Sequence, residues 1–141
     1  MSPLYTHRVE VRFADCDPLG HVNNAVYLSY LEQARFGLWR KLWGFNGETA
    51  LTAARGAGLI LARVECDYRR PSTYGDLLDV RLGLASIGRT SFTYDYAIAG
   101  AGGGPLVAEA RTVVVVYDYR EGTPVPIDAA LRADLARSFD D

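Results

Sequence analysis

Residues 13–45 read FADCDPLGHVNNAVYLSYLEQARFGLWRKLWGF, and the fold class is inferred chiefly from this stretch. From residue 26 to about residue 45 the apolar side chains recur every three or four positions, which predicts an α-helix. The apolar stripe is formed by Tyr27, Leu31, Ala34, Leu38, Leu42 and Phe45, and it is widened by Tyr30, Trp39 and Trp43. A helix that is apolar over so much of its surface must be enclosed, so we expect a sheet curled around it.

The rest of the chain predicts strands rather than further long helices. Residues 5–13 alternate in polarity, which predicts a strand with five side chains on one face: Tyr5, His7, Val9, Val11 and Phe13. Further strands are expected at residues 59–68, 76–87, 90–99 and 106–117. Residues 48–55 are weakly helical, and Asp128 is expected to cap a short final helix that runs to residue 139.

These elements together predict an α+β domain. Gly44, Asn46 and Gly47 are expected to end the long helix. The later strands are joined by short connections, which favour antiparallel neighbours. We therefore expect a five-stranded antiparallel sheet wrapped around one long central helix, with residues 1–141 forming a single domain.

Composition excludes several classes of protein. The net charge is −2, and the 15 lysines and arginines are spread along the chain rather than grouped into a block that would bind nucleic acid or a membrane surface. No apolar run approaches the roughly 20 residues of a membrane span, and no signal peptide opens the sequence. Cys16 and Cys66 are too few for a disulfide framework. We expect a cytoplasmic protein with no nucleic-acid or membrane partner.

The start of the predicted long helix offers a place to polarise a carbonyl group. Asn23 can cap the helix by accepting a hydrogen bond from a backbone N–H two or three residues later. The N–H of Asn24 would then point outward at the positive end of the helix dipole. Such a donor suits a carbonyl oxygen that gains negative charge during acyl transfer.

A carboxylate can approach the same point. Pro18 and Gly20 turn the chain between the first strand and the helix, so Asp17 can fold back toward the helix start. There it would act as a nucleophile or as a general base that activates water. No metal is needed for this chemistry, because a thioester is already a reactive acyl group.

Other interpretations of these polar residues stay open. Asp15 and Asp17 can form Asx-turns, with His21 packed in the loop. The same three residues could ligate a metal, although no second cluster of His or Cys ligands supports this. Glu32, in the predicted helix, is either a second catalytic carboxylate or a partner for Arg35, a strand residue or another subunit.

Residues 15–24, DCDPLGHVNN, and residues 27–35, YLSYLEQAR, resemble the hotdog-fold acyl-CoA thioesterases. They are most similar to the 4-hydroxybenzoyl-CoA thioesterase type and its fatty acyl-CoA relatives, and the strand order matches over nearly the whole chain. The resemblance implies that two copies join their sheets into a continuous dimer sheet. It further implies active sites at the dimer interface and often a homotetramer.

The resemblance also assigns roles to single residues. Asp17 matches the catalytic aspartate, and Asn24 matches the position whose backbone N–H polarises the thioester carbonyl. His21 and Asn23 belong to a His-Val-Asn-Asn variant of the motif, which favours a fatty acyl group over an aryl group; we expect them to shape the loop or to orient water and substrate. Substrate contacts are expected at Tyr27, and coenzyme A contacts at Arg89, Thr90 and Ser91.

The predicted reaction is hydrolysis of acyl-CoA to a free acid and coenzyme A, without a cofactor or a metal ion. Three alternatives share the fold: a module that binds acyl-CoA without cleaving it, a thioesterase acting on acyl-carrier protein, and a hydratase. A binding module would need an output element and an acyl-carrier-protein enzyme a basic docking patch. A hydratase would need a paired Asp and His on another element. None of these features is evident in the sequence.

Overall fold

The computed structural model describes residues 2–44 and 58–140. The strands are β1 (Pro3–Glu10), β2 (Gly58–Tyr68), β3 (Leu77–Ile87), β4 (Ser91–Gly100), β5 (Leu106–Asp118) and β6 (Thr123–Pro124). The helices are α1 (Asn24–Trp43) and α2 (Ala129–Leu135), and a 3₁₀ turn covers Phe13–Asp15. The weakly helical segment predicted at residues 48–55 lies outside the described residues.

The strands form one antiparallel sheet in the order β1-β3-β4-β5-β2. The five predicted strands are all present, and the two-residue β6 adds a short hairpin to β5 that the sequence did not indicate. Helix α1 packs mainly on β1 and β3. The predicted alternation of β4 is confirmed on this inner face, where its large side chains are at most 2% exposed: Phe92, Tyr94, Tyr96 and Ile98.

Helix α1 begins and ends where local chemistry predicts. Asn23 caps it, because its side-chain Oδ1 accepts a hydrogen bond from the N–H of Ala25 at 2.9 Å. Gly44 ends it with a φ of +62°, a left-handed conformation that favours glycine. The apolar stripe is buried as predicted, with Leu31 and Leu38 fully enclosed; Phe45 lies outside the described residues.

The first strand is shorter than predicted, and the expected burial of Phe13 is wrong. The strand ends at Glu10, and the side chain of Phe13 is 78% exposed. Val11 turns its backbone toward the loop before β3, where its N–H donates to the carbonyl of Asp76 at 2.9 Å and its carbonyl accepts from Gly75 at 3.0 Å. The 3₁₀ turn at Phe13–Asp15 follows directly, so the alternation of residues 5–13 does not continue as a strand.

The chain ends in a short capped helix packed against the sheet. Asp128 caps α2 by accepting a hydrogen bond from the N–H of Leu131 at 2.7 Å, as predicted. The helix ends at Leu135 rather than at residue 139, and the N–H of Phe139 donates to the carbonyl of Leu4 in β1 at 2.6 Å. Neither helix of the described chain combines the length and apolar character needed to cross a membrane.

Candidate active site

A small closed loop precedes α1. Cys16 and Val22 pair as an isolated antiparallel bridge at its base. Inside it, the N–H of Asp17 donates to the carbonyl of His21 at 3.0 Å, and the N–H of Gly20 donates to the carbonyl of Asp17 at 2.9 Å. Gly20 has a φ of +89°, a backbone conformation that residues other than glycine rarely adopt. The loop therefore holds Asp17 in one backbone position beside the helix start.

The two carboxylate oxygens of Asp17 have unequal surroundings. Oδ1 accepts a hydrogen bond from the N–H of Leu19 at 2.9 Å, which forms the Asx-turn considered from the sequence. Oδ2 has one neighbouring donor, Nδ2 of Asn23, at the long distance of 3.5 Å. Because the side chain is only half-buried, Oδ2 is the oxygen with capacity to bind water or a substrate.

The helix start lies next to this carboxylate through Asn23, whose side chain caps α1 and also faces Asp17. Asn24 is the first helical residue, and none of the hydrogen bonds within residues 2–44 and 58–140 uses its N–H as donor. The carbonyl of Asn24 accepts a hydrogen bond from the Tyr68 hydroxyl at 2.9 Å, which ties β2 to the same point. The side chain of Asn23 thus contacts both the carboxylate of Asp17 and the start of α1, where the N–H of Asn24 is available at the positive end of the helix dipole.

Asp15 is the structural member of the acidic pair. Its carboxylate is buried and accepts four hydrogen bonds, from the N–H, Nε and Nη2 of Arg12 at 3.0, 3.2 and 2.8 Å and from the Tyr30 hydroxyl at 2.8 Å. Burial raises the pKa of Asp15, but the bonds from Arg12 and Tyr30 outweigh it and hold the pKa below its ordinary value. This carboxylate is fully occupied as an ionised anchor for the loop.

The metal interpretation finds no support in this geometry. Asp15 has no oxygen to spare for a metal ion, and His21 places Nδ1 3.4 Å from the carbonyl oxygen of Val22. Across the described residues there is no group of three or more His, Cys, Asp or Glu side chains that could hold a metal ion. His21 makes no hydrogen bond to the carboxylate of Asp17 in this part of the chain, so it belongs to the loop wall.

Tyr27 stands behind the helix start with two other aromatic residues. Its ring lies 5.5 Å from that of Tyr68 and meets that of Tyr30 edge-to-face at 5.8 Å. Burial raises the pKa of Tyr27, and Ser72 lies close enough to lower it in part. The buried hydroxyls of Tyr27 and Ser72 make no hydrogen bond of good geometry within the described residues. No signal in the sequence pointed to Ser72 or Tyr68, because both join the site through contacts distant along the chain.

The residues expected to bind coenzyme A lie far from Asp17 within one chain. Arg89 and Thr90 occupy the turn between β3 and β4, where their carbonyls accept hydrogen bonds from Ile127 and Val116 at 2.8 and 2.9 Å. The site loop lies near the other end of β3, because the N–H of Val22 donates to the carbonyl of Ser72 at 2.9 Å in the segment that precedes β3. Since β3 has 11 residues, the two ends are about 33 Å apart at ~3.3 Å per residue. One chain alone does not bring the two groups together.

Comparison with known proteins identifies the family. A family model described as the thioesterase-like superfamily matches residues 11–135, which include the whole loop and α1. The chain belongs to the thioesterase-like superfamily. Over 128 residues it is 29% identical to the long-chain acyl-CoA thioesterase FadM of Escherichia coli K12, covering 91% of this chain and 94% of that protein.

Solved structures of other thioesterases share the architecture. A thioesterase of Thermus thermophilus, solved with coenzyme A and zinc, matches with a TM-score of 0.79 and 34% identity over 96% of this chain and 94% of that one. A 4-hydroxybenzoyl-CoA thioesterase variant with 4-hydroxybenzoyl-CoA bound matches with a TM-score of 0.81 over 93% and 97% of the two chains. Its 20% identity shows the shared fold alone. The hotdog fold expected for this thioesterase-like chain is confirmed.

Proposed function

We propose that this protein hydrolyses acyl-CoA thioesters to a carboxylic acid and coenzyme A, with Asp17 as the catalytic carboxylate. The observation that carries the proposal is the connection between Asp17, whose Oδ2 is almost unbonded, and the available N–H of Asn24 through the side chain of Asn23. Family membership supports thioester hydrolysis. The likeness to FadM, named a long-chain acyl-CoA thioesterase, supports an acyl-CoA substrate.

In the proposed reaction the thioester carbonyl oxygen accepts a hydrogen bond from the N–H of Asn24. The helix dipole adds to the stabilisation by this hydrogen bond, and both interactions strengthen as negative charge develops on the carbonyl oxygen. Asp17 then acts in one of two ways. Its Oδ2 bonds to the acyl carbon and expels the coenzyme A thiolate, after which water cleaves the mixed anhydride; or it removes a proton from a water molecule that attacks the same carbon.

The remaining residues of the loop have supporting roles in this proposal. Asn23 fixes the position of the Asp17 carboxylate relative to the start of α1, and its Nδ2 stabilises the negative charge on Oδ2. His21 lines the entrance to the loop. Tyr27 forms the wall behind the reacting carbonyl, next to Ser72. No cofactor takes part, and location in the cytoplasm stays a prediction from the sequence.

The exposed inner face of β2 supports a homodimer. Strand β2 ends the sheet, and three apolar side chains on its inner face are exposed by 45%, 37% and 46%: Leu61, Val64 and Tyr68. Pairing with a second copy along this edge would cover them. Antiparallel pairing also reverses the direction of the partner's strands, so the partner's Arg89, Thr90 and Ser91 would come toward Asp17 and could bind the coenzyme A nucleotide. A tetramer made of two such dimers stays a prediction.

The test follows release of free coenzyme A with a thiol reagent. The substrates are acetyl-, hexanoyl-, palmitoyl-, benzoyl- and phenylacetyl-CoA, and the proteins are wild type, Asp17→Asn and Glu10→Gln, which neutralises an exposed carboxylate at the end of β1. We expect Asp17→Asn to fold normally and to lose activity by about 100- to 1,000-fold, the usual effect of removing one key transition-state group. Glu10→Gln should keep full activity.

Two results would contradict the proposal. Turnover that survives Asp17→Asn would exclude Asp17 and direct attention to Glu32. Tight binding of acyl-CoA with no release of coenzyme A from any substrate would identify a binding module rather than an enzyme.

A further inference from the structure

Arg35 is a buried cation without a carboxylate partner in the described part of the chain. Its side chain on α1 is 4% exposed, and its one hydrogen bond within the described residues runs from Nη1 to the Tyr96 hydroxyl at a long 3.4 Å. The pairing with Glu32 considered from the sequence is absent, because the side chain of Glu32 is exposed in a hollow with His7 while that of Arg35 is buried. Buried charges are normally paired, since an unpaired one loses its hydration without compensation.

The guanidinium of Arg35 lies beside a second pair of buried hydroxyls. The Tyr96 hydroxyl is 2.7 Å from Oγ1 of Thr112, so Arg35, Tyr96 and Thr112 form one polar cluster among apolar core residues. In the register of the sheet, Thr112 on β5 stands opposite Val64 on β2. The cluster is therefore adjacent to the strand whose inner face is exposed.

We call the strip between α1 and the exposed, inner-facing Leu61, Val64 and Tyr68 the α1–β2 groove, and the Arg35 cluster is buried beside it. Helix α1 packs mainly on β1 and β3, which leaves this half of the inner face less covered. The groove begins at the proposed reaction centre, because Tyr68 bonds to Asn24 at the start of α1. It thus leads from the thioester position toward Arg35.

The length of the groove follows from helix geometry. Arg35 comes eleven residues after Asn24 in the same helix, which separates their Cα atoms by about 16 Å at ~1.5 Å per residue. Helical side chains lean toward the N-terminus, so the guanidinium lies closer to Asn24 than its Cα atom does. An acyl group of medium length, held at its carbonyl by Asn24, would reach Arg35 with its far end.

We propose that Arg35, with Tyr96 and Thr112, binds a carboxylate at the far end of the acyl group, and that the substrates include CoA monothioesters of medium-length dicarboxylic acids. The inference rests on the proposed thioester hydrolysis. The planar guanidinium fits a carboxylate through two parallel hydrogen bonds, and the apolar walls fit the methylene chain between the two ends. A purely apolar acyl group would leave the cation buried and unpaired.

The inner face of β2 in a second copy would not supply the missing carboxylate. The register places Val64 opposite buried Thr112, and the inner-facing positions of β2 carry no acid: Leu59, Leu61, Val64, Cys66 and Tyr68. The acids Glu65 and Asp67 pair with residues on the outer face of β5, so they point away from the groove. A carboxylate brought by the substrate therefore fits the site better than one from the edge strand of a partner.

The test compares kcat/KM for matched pairs of thioesters: adipyl- with hexanoyl-CoA, suberyl- with octanoyl-CoA, and sebacyl- with decanoyl-CoA. Wild type should prefer the dicarboxylic member of at least one pair. Arg35→Gln should lower kcat/KM for that substrate by about 100-fold, as expected when a buried charge loses its partner, and leave the monocarboxylic partner nearly unchanged. Arg40→Gln, which changes an exposed arginine on the same helix, is the matched control.

Several results would overturn the inference. One is a wild-type enzyme that prefers the monocarboxylic member of every pair. Another is an equal loss of kcat/KM for both members of a pair in Arg35→Gln. The third is loss of the dimer in that variant with unchanged substrate preference. If Arg35→Gln does not fold, Tyr96→Phe tests the same cluster. If no thioester is hydrolysed at all, the proposed function fails, and calorimetric binding of suberyl-CoA against octanoyl-CoA still decides whether Arg35 recognises a carboxylate.

Discussion

Nδ2 of Asn23 lies 3.5 Å from Oδ2 of Asp17, while Oδ1 of the same asparagine caps α1 at 2.9 Å from the N–H of Ala25. One side chain thus couples the position of the carboxylate to the position of the helix start. Because the bond to Asp17 is long, it steadies the carboxylate while leaving Oδ2 able to bind another group. The proposed catalysis by Asp17 and the amide of Asn24 requires that these two groups keep a fixed relative position.

Replacing Asn23 separates capping from contact with Asp17. Asn23→Asp keeps a good cap but replaces the Nδ2 donor with a second negative charge facing the carboxylate of Asp17. We expect kcat/KM to fall by about 10- to 100-fold. Asn23→Ser keeps the cap without the charge, so it should lower kcat/KM by less than Asn23→Asp does. Equal losses of kcat/KM in the two variants would exclude electrostatic coupling between positions 23 and 17.

The bond from Tyr30 to Asp15 should stabilise the fold in a pH-dependent way. Asp15 has a pKa below its ordinary value of 3.8, so its bonds contribute fully above pH 3.8 and lose their contribution as pH falls through the lowered pKa. Tyr30→Phe should reduce the free energy of unfolding by about 1.5–3 kcal/mol near neutral pH, because it removes a donor to a charged group. Urea unfolding measures the difference in the free energy of unfolding between wild type and Tyr30→Phe, and this difference should decrease below pH 3.8.

The control for this prediction is Tyr74→Phe, which removes an exposed hydroxyl from a residue that is 66% accessible. It should change the free energy of unfolding by less than about 0.5 kcal/mol at every pH. A constant difference between wild type and Tyr30→Phe across the acidic range would mean that the ionisation of Asp15 does not contribute through this bond.

The buried hydrogen bond from Nε1 of Trp39 to the Tyr94 hydroxyl, 3.0 Å long, joins α1 to β4. Tyr94→Phe should destabilise the fold by about 1–3 kcal/mol, because it leaves the indole N–H buried without an acceptor. In a double-mutant cycle with Trp39→Phe, the two losses should add to more than the loss in the double variant. A cycle between Trp39→Phe and the exposed Tyr119→Phe supplies the reference, and equal coupling in the two cycles would refute the prediction.

A charge on the inner face of β2 should prevent dimer formation without unfolding the chain. Leu61 is 45% exposed in a single chain, so Leu61→Glu should change the stability of that chain by no more than about 1 kcal/mol. Burying the same charge in the proposed interface would cost several kcal/mol. We expect sedimentation to show that Leu61→Glu is a monomer. The rate of coenzyme A release should show that it has little thioesterase activity. Leu106→Glu, at a residue 38% exposed on β5, is the matched change, and identical behaviour of both variants would argue against a β2 interface.

The elements that the sequence predicts well are those with local causes. Helix α1 runs over Asn24–Trp43, close to the expected residues 26–45, because capping by Asn23 and the left-handed Gly44 act within one turn of its ends. Strand β4 follows its predicted alternation because its inner-facing side chains are all apolar or aromatic. The loop of Asp17 was also visible, since Pro18 and Gly20 restrict the backbone locally.

Features that depend on distant contacts were missed. Phe13 was expected in the strand face, but it lies in a 3₁₀ turn whose Asp15 accepts a hydrogen bond from the Tyr30 hydroxyl, and its side chain is exposed. Pairing of Glu32 with Arg35, three residues away, was one of the interpretations considered, but Arg35 is buried and donates to the Tyr96 hydroxyl instead. The distance between the turn at Arg89 and the loop at Asp17 depends on the direction of β3, which alternation does not encode.

The sequence alone was enough to predict the long enclosed helix, the antiparallel strands and two candidate carboxylates before the helix start. Which of the two keeps an oxygen with hydrogen-bonding capacity to spare is visible only in the folded chain. Asp15 is saturated because α1 packs against the loop and brings the hydroxyl of Tyr30 within 2.8 Å, in addition to three donors from Arg12. Asp17 faces a single long contact from Asn23 at Oδ2, because the closed loop turns that oxygen away from every nearer donor in the described residues.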